Sequence, residues 1–268
     1  MFLEVEKGVR LFVQDLNPGA GSRPVVWVHG WPANHRMFEY QLNVFPQRGY
    51  RCIALDLRGF GQSDKPWHGY SYDRLADDLA AVLETLQVEN AALVGFSIGG
   101  AISIRYMARH NGLRIGRLAL VDAAAPVFVK RPDYPFGLPV SQVNDLIRET
   151  YHNRPRMLAE FGGMFFNRNL GPELLGWFQG LGLEAASYAT IQCLVSLRDE
   201  DLRPDLEKIR VPTGIFHGVH DRIVPFPSAQ VLHKEIPGSR LYPFANSGHG
   251  VVIDEMEAFN ATLLAFLQ

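Results

Sequence analysis

The sequence predicts an α/β protein, built on a mostly parallel sheet flanked by helices and carrying a helical insertion. Three observations predict it. Short apolar runs alternate with amphipathic helical patterns along most of the chain. The runs Pro24–His29, Arg51–Asp56, Ala91–Phe96 and Arg117–Asp122 are apolar on both faces, the pattern of strands buried inside a parallel sheet. From about Pro126 to Glu207 the alternation stops, and helical patterns and prolines take its place.

Taken in order, Phe2–Glu6 and Val9–Asp15, joined at Gly8, read as an antiparallel hairpin. The apolar runs then supply the central strands. The clearest helix starts at Ser71, an N-cap, with Asp73, Asp77 and Asp78 near the positive end of its dipole. Its apolar positions Leu75, Leu79, Val82, Leu83 and Leu86 recur at helical spacing, so one stripe faces the sheet. In the segment 126–207, prolines at 126, 132, 135 and 139 precede helical patterns rich in aromatics, among them Phe161, Phe165, Phe166 and Phe178. That predicts a helical cap over the strand ends, with 1–125 and 208–268 forming the core domain. Pro212–Gly218 and Arg240–Phe244 continue the strands. A last helix is expected over Asp254–Leu267, with Met256, Phe259, Leu263, Leu264 and Leu267 inward.

Composition narrows the function. The 268 residues are 47% hydrophobic and 20% charged with a net charge of −2, which leaves no basic excess for a phosphate backbone, so no nucleic-acid partner is expected. The start of the chain, with Glu4, Glu6, Lys7 and Arg10, has no apolar signal-peptide core. The longest uncharged run, Asn90–Ile104, is too short for a membrane span and is broken by glycines. A cytoplasmic protein without a membrane partner is expected. Cys52 and Cys193 sit in apolar stretches and read as small buried hydrophobes. The nine histidines form no HExxH or carboxylate-rich pattern, so no metal site is expected. The run from Arg58 to Asp64 lacks the third glycine and the helix of a dinucleotide loop and reads as a structural turn.

Gly95-Phe96-Ser97-Ile98-Gly99 matches G-x-S-x-G, a pattern short enough to arise by chance. Its setting makes it informative. It follows a buried strand and opens a helix, which forces the serine onto a sharp turn where Gly95, Gly99 and Gly100 leave room. A serine hydroxyl needs a base, and the base needs an orienting carboxylate. His249, in a polar loop after the final strand, and Asp221, just past the strand that begins near Pro212, supply them in the order Ser97, Asp221, His249. Asp122, at the end of the strand before the cap, is the rival acid and is expected instead to make structural bonds near the cap hinge. The segment His29-Gly30-Trp31-Pro32 follows another strand, and the backbone N–H groups of Trp31 and Ile98 are the oxyanion-hole candidates. Pro32 has no N–H, but its carbonyl remains free to accept a hydrogen bond.

These residues resemble the α/β-hydrolase family over essentially the whole chain. More narrowly, DLRGFGQSDKPW, GFSIGG, DLRPDLEKIRVPT and HGVHDRIVPF are similar to segments of bacterial aryl esterases and cofactor-free haloperoxidases, also called perhydrolases. The resemblance implies an eight-stranded sheet, a helical cap, a Ser97–His249–Asp221 triad, an oxyanion hole from Trp31 and Ile98, and neither metal nor organic cofactor. HG-x-P also occurs in epoxide hydrolases and dehalogenases, but those carry an aspartate where this chain has Ser97. In the haloperoxidase-like members a proline after the aromatic is associated with perhydrolysis, which gives Pro32 a role in placing hydrogen peroxide. His220 departs from the smaller or acidic residue expected before the acid. The resulting expectation is a serine hydrolase of small carboxylic esters with a perhydrolase side activity. A lactonase or γ-lactamase on the same triad, carbon–carbon bond hydrolysis, and a slow-turnover ligand receptor are the alternatives. Natural substrate and oligomeric state stay open, a homo-oligomer included.

Overall fold

The structure, a computed structural model, describes residues 1–19 and 23–268. Eight strands form one sheet: β1 (Phe2–Glu6), β2 (Val9–Leu16), β3 (Arg23–Val28), β4 (Tyr50–Leu55), β5 (Ala91–Phe96), β6 (Ile115–Val121), β7 (Thr213–Gly218) and β8 (Arg240–Phe244). Their order is β1-β2-β4-β3-β5-β6-β7-β8. β1 pairs antiparallel with β2, and β2 with β4; every later pairing is parallel. The hairpin and the buried strands fall where the sequence places them, within one or two residues at each end. All six residues of β5 and of β7 are buried, which is why those segments carry apolar residues without alternation.

Helices cover both faces: α1 (Glu39–Leu42), α2 (Tyr72–Thr85), α3 (Ile98–Arg109), α4 (Val140–Phe165), α5 (Gly171–Leu183), α6 (Ser187–Asp199), α7 (Arg203–Leu206), α8 (Phe226–Glu235), α9 (Val251–Asp254) and α10 (Met256–Leu267). α2 begins after Ser71, whose side chain accepts from Arg74 N, a cap worth about 1 kcal/mol. Its Leu75, Leu79, Val82 and Leu83 are fully buried. Burying each such side chain contributes roughly 1.5–3 kcal/mol, so this stripe rather than helix propensity fixes α2 on the sheet.

The elements α4 to α7 are inserted between β6 and β7. α4 breaks at Asn153, where φ is −154° and ψ 71°; the Asn153 side chain accepts from Arg156 N and caps the second half of the helix, and Pro155 falls in that first turn, where no backbone donor is needed. Arg154 then donates to the carbonyls of Gly182, Leu183 and Ala185, satisfying the orphan end of α5. The predicted last helix, Asp254–Leu267, is α10, which starts two residues later, and a short separate turn, α9, precedes it with the break at Glu255. The side chains there are drawn back onto the preceding loop: Glu255 accepts from Asn246 N and Ser247 Oγ, and Asp254 from Gly248 N.

The turn from Arg58 to Asp64 is organised by Asp56, whose carboxylate accepts from His35 N and Gln62 N. A Cβ on Gly61 would collide with that carboxylate. Cys52 and Cys193 are free and buried, and burial pushes the Cys52 thiol up to about 12 and Cys193 well above its usual range. Among the described residues, no helix is long and apolar enough to cross a membrane.

Candidate active site

In a parallel sheet the loops at the carboxyl ends of the strands converge, and that is where the singled-out residues lie. Ser97 follows β5 directly and serves as N-cap of α3, with φ 54° and ψ −118°, a conformation that a side-chain-bearing residue rarely adopts. The turn closes only because its neighbours lack side chains. A Cβ on Gly99 would run into the carbonyls of Val28 and His29, and one on Gly100 would sit 2.5 Å from Ala123 Cβ. The backbone of Ser97 is tied to β6 through a 2.9 Å bond to Val121 O.

Three side chains from three loops meet here. His249 Nε2 is 2.9 Å from Ser97 Oγ, and its Nδ1 is 2.7 Å from Asp221 Oδ2. A carboxylate only accepts, so Nδ1 carries the proton and Nε2 presents its lone pair to the serine hydroxyl. Asp221 Oδ1 accepts from Ile223 N and Val224 N at 2.8 Å each, which fixes its plane. Burial opposes ionisation of Asp221. The neighbouring imidazole of His249 and the hydrogen bonds from His217 and His249 outweigh it and hold the carboxyl well below the usual range. Ser97, Asp221 and His249 are 6%, 6% and 1% exposed, so water is largely excluded around them. Phe96 and Phe165 pack on the His249 ring with centroids 5.2 and 4.8 Å away.

Asp122 stands apart from Nδ1 of His249 and bonds to backbone instead. Its Oδ1 accepts from Gly218 N and its Oδ2 from Val251 N, so one carboxylate links the end of β7 to the start of α9, the two segments that bear Asp221 and His249. Burial first, then the neighbouring Asp221 charge, raises it to about 7 against the pull of His217 and His249. His217, at the end of β7, lies in the same cluster with its Nε2 3.3 Å from Asp221 Oδ2. Sequence reading passed over His217, because a histidine inside an apolar strand carries no motif of its own. His220 is exposed, and its backbone N–H donates to Ser247 O.

Trp31 lies after β3 with its indole N–H donating to Thr190 O on α6 and its ring against Phe161. The backbone N–H groups of Trp31 and Ile98 have no acceptor among the described residues. Gly30 brings the Trp31 loop against the serine: a Cβ there would lie 3.1 Å from Ser97 Cβ and 2.5 Å from the Phe96 ring. His29 fixes the same loop from below. Its Nε2 accepts from Leu57 N and its Nδ1 donates to Gly30 O, and burial lowers its pKa to about 4, so it is neutral.

Pro32 lines a narrow apolar crevice with Ala33, Leu158, Phe161, Phe178 and Gly182, between the sheet and α4 and α5. A larger cleft of about 700 Å³, lined by Arg117, Arg210, Arg240, Tyr242 and Phe266, sits at the opposite ends of the strands, away from the serine. Asp122, His217 and Asp221 place ligand-type atoms within 4.8 Å of one another. Three of the four carboxylate oxygens are taken by backbone N–H groups and the fourth faces His249 Nδ1, so a cation would have to displace those donors.

Comparison with known proteins shows the family. A family model described as alpha/beta hydrolase fold matches residues 23–256. The chain belongs to the alpha/beta hydrolase family. It is 52% identical to the AB hydrolase superfamily protein YisY of Bacillus subtilis strain 168, over 99% of this chain and 98% of that protein. It is 32% identical to a bifunctional esterase/perhydrolase of Acinetobacter calcoaceticus, over 100% of this chain and 99% of that one. An esterase from Exiguobacterium antarcticum superposes with a TM-score of 0.96 at 44% identity, covering 100% of this chain and 98% of the other. This alpha/beta hydrolase thus has both esterases and perhydrolases among its relatives.

Proposed function

We propose that this alpha/beta hydrolase is a serine hydrolase of small carboxylic esters that works through an acyl-enzyme. The observation that carries the reading is the hydrogen-bonded line from Ser97 Oγ through His249 to Asp221 Oδ2, on a strained turn at the strand ends. Ser97 attacks the acyl carbon while His249 takes its proton and later returns it to the leaving alcohol. Asp221 holds the imidazole in the required tautomer and stabilises the imidazolium. The N–H groups of Trp31 and Ile98 receive the developing oxyanion, a contribution of roughly 3 kcal/mol per donor. The inserted helices, with residues 126–207 as a cap on a core of 1–125 and 208–268, wall off the acyl group. Water on the His249 side then releases the acid.

The same acyl-enzyme can pass its acyl group to hydrogen peroxide, giving a peracid and regenerating Ser97. Two observations favour this second activity: the likeness to the Acinetobacter esterase/perhydrolase and the place of Pro32 on the crevice wall. Steady-state hydrolysis of p-nitrophenyl acetate and butyrate by wild type and Ser97→Ala, with and without peroxide, tests both. Fast turnover abolished by the substitution supports the esterase, and a peroxide-dependent peracid signal the second activity. Slow turnover in folded wild type overturns the reading and leaves the site as a ligand-capturing pocket.

A further inference from the structure

His249 lies between two glycines, Gly248 and Gly250, the residue type with the widest backbone freedom, so its own stretch of chain does little to aim the ring. Both glycines answer to the same neighbour. A Cβ on Gly248 would sit 2.8 Å from Phe165 O and 3.0 Å from Asn167 N, and one on Gly250 would sit 2.4 Å from the Phe166 ring. Residues 165–167, which lead from α4 towards α5, are thus laid directly on the loop that bears His249. The Phe165 ring packs on the imidazole with centroids 4.8 Å apart.

One carboxylate fastens the two segments together. Asp254, the last residue of α9, is 1% exposed. Its Oδ2 accepts from Gly248 N at 2.8 Å and from Asn167 N at 2.9 Å, and its Oδ1 accepts from Arg168 N at 3.2 Å. The Arg168 guanidinium donates to the Asp254 carbonyl at 2.7 Å, and the Asn167 side chain donates to Asn246 O at 3.0 Å. On the other side of His249, Val251 N donates to Asp122 Oδ2. The base is therefore slung between two carboxylates: Asp122 ties it to the sheet, and Asp254 ties it to the inserted helices. Without Asp254, a glycine-flanked loop keeps its sheet anchor and loses the other.

We propose that Asp254 is a positioning residue for the reaction: it fastens the His249 loop to the α4–α5 connection, so that the inserted helices help to aim the base. Asp254 touches no reacting atom. The proposal rests on the reading of Ser97, His249 and Asp221 given above.

Asp254→Ala removes the acceptor shared by Gly248 N and Asn167 N. Its kcat for p-nitrophenyl butyrate should fall about a hundredfold with KM unchanged, the scale of a misplacement of roughly 1 Å. Asp254→Asn can keep its carbonyl oxygen at the Oδ2 position, giving up only the longer bond from Arg168 N, and should retain most of kcat. Leu83→Ala, a cavity in the buried stripe of α2, controls for lost stability and should leave kcat unchanged. The proton that His249 Nδ1 shares with Asp221 gives a far-downfield NMR signal independent of substrate. It should be present in wild type, Asp254→Asn and Leu83→Ala, and lost to exchange with water in Asp254→Ala. Wild-type kcat and signal in Asp254→Ala, or a loss matched by Leu83→Ala, overturns the proposal. If Asp254→Ala fails to fold, Asn167→Ala combined with Arg168→Ala cuts two of the same ties through exposed side chains and should lower kcat roughly tenfold. Unchanged kcat and signal in that double variant overturn the proposal. Wild type that turns over no ester refutes the hydrolase reading, and the NMR comparison then decides the role of Asp254 by itself.

Discussion

Ser97 Oγ and His249 Nε2 stand 2.9 Å apart although 152 residues separate them in the chain. Neither residue is held there by its own element. Ser97 reaches the position through a positive φ between a buried strand and a helix. His249 reaches it through a loop whose backbone is bonded to Asp254 and whose neighbour Val251 is bonded to Asp122. The fold therefore spends local stability to aim the hydroxyl, and that strain can be measured.

Replacing Ser97 by alanine keeps the strained φ of 54°, whereas glycine removes it. Such strain is of order 1–3 kcal/mol, and glycine's extra unfolded-state entropy offsets part of it, so Ser97→Gly should be about 1 kcal/mol more stable than Ser97→Ala. At this chain length that is a rise of about 2–4 °C in melting temperature. Both variants lack the hydroxyl, so activity does not confound the comparison. Equal melting temperatures would mean the elbow is unstrained.

Arg58 is 1% exposed and forms a two-pronged pair with Asp78 at 2.6 and 2.7 Å, pinning the turn after β4 to α2. Arg58→Met should lose about 3–5 kcal/mol in urea unfolding, because Asp78 is left buried with only Arg74 to face. Arg58→Met combined with Asp78→Leu should recover much of that loss, since a hydrophobic pair of similar volume needs no desolvation of charge. A single variant within about 1 kcal/mol of wild type would show that the pair does not hold the turn.

The sheet was legible because its strands are buried on both faces, so PVVWVH, RCIALD and AALVGF need no partner information to be read. Ser97, Asp221 and His249 were legible for a different reason: each lies in a short polar or glycine-rich segment at the end of such a run. Where the reading blurred, long-range bonds decide. The short turn α9 ahead of the last helix is set off by Glu255, which accepts from Asn246 and Ser247, and the segment after the break in α4 is tied to α5 by Arg154. His217 could not have been singled out, since Asp122, 95 positions earlier in the chain, meets it only in the fold.

His29 gives a pH dependence of stability whose sign is set by burial. Its folded pKa is lowered to about 4, against about 6.5 when unfolded. The unfolded chain therefore binds the extra proton first, so this contribution is full above about pH 6.5 and is lost as pH falls towards 4. The loss is on the order of 3 kcal/mol for a shift of this size. His29→Gln keeps an acceptor for Leu57 N and cannot be charged. It should be less stable than wild type at pH 7.5, with the gap narrowing towards pH 4.5 in denaturant titrations. A constant gap would show that His29 takes up its proton equally in the folded and unfolded states.

For the proposed esterase, the crevice beside Pro32 is the candidate acyl site. Leu158, Phe161 and Phe178 line it, and a Cβ on Gly182 would lie 3.1 Å from Pro32 Cγ, so the crevice itself is narrow. Short or aryl acyl groups should therefore be preferred, with kcat/KM falling along a p-nitrophenyl ester series from two to twelve carbons. Phe178→Ala and Leu158→Ala open the wall and should move the optimum to longer chains. Each buried methylene gained by the substrate is worth about 0.8 kcal/mol, so two more carbons accommodated would raise kcat/KM roughly tenfold for the longer ester. Because Phe178 and Leu158 are themselves buried, each variant should also lose about 2–5 kcal/mol of stability. A wild-type optimum at the long-chain end, or no shift in either variant, would place the acyl group somewhere other than this crevice.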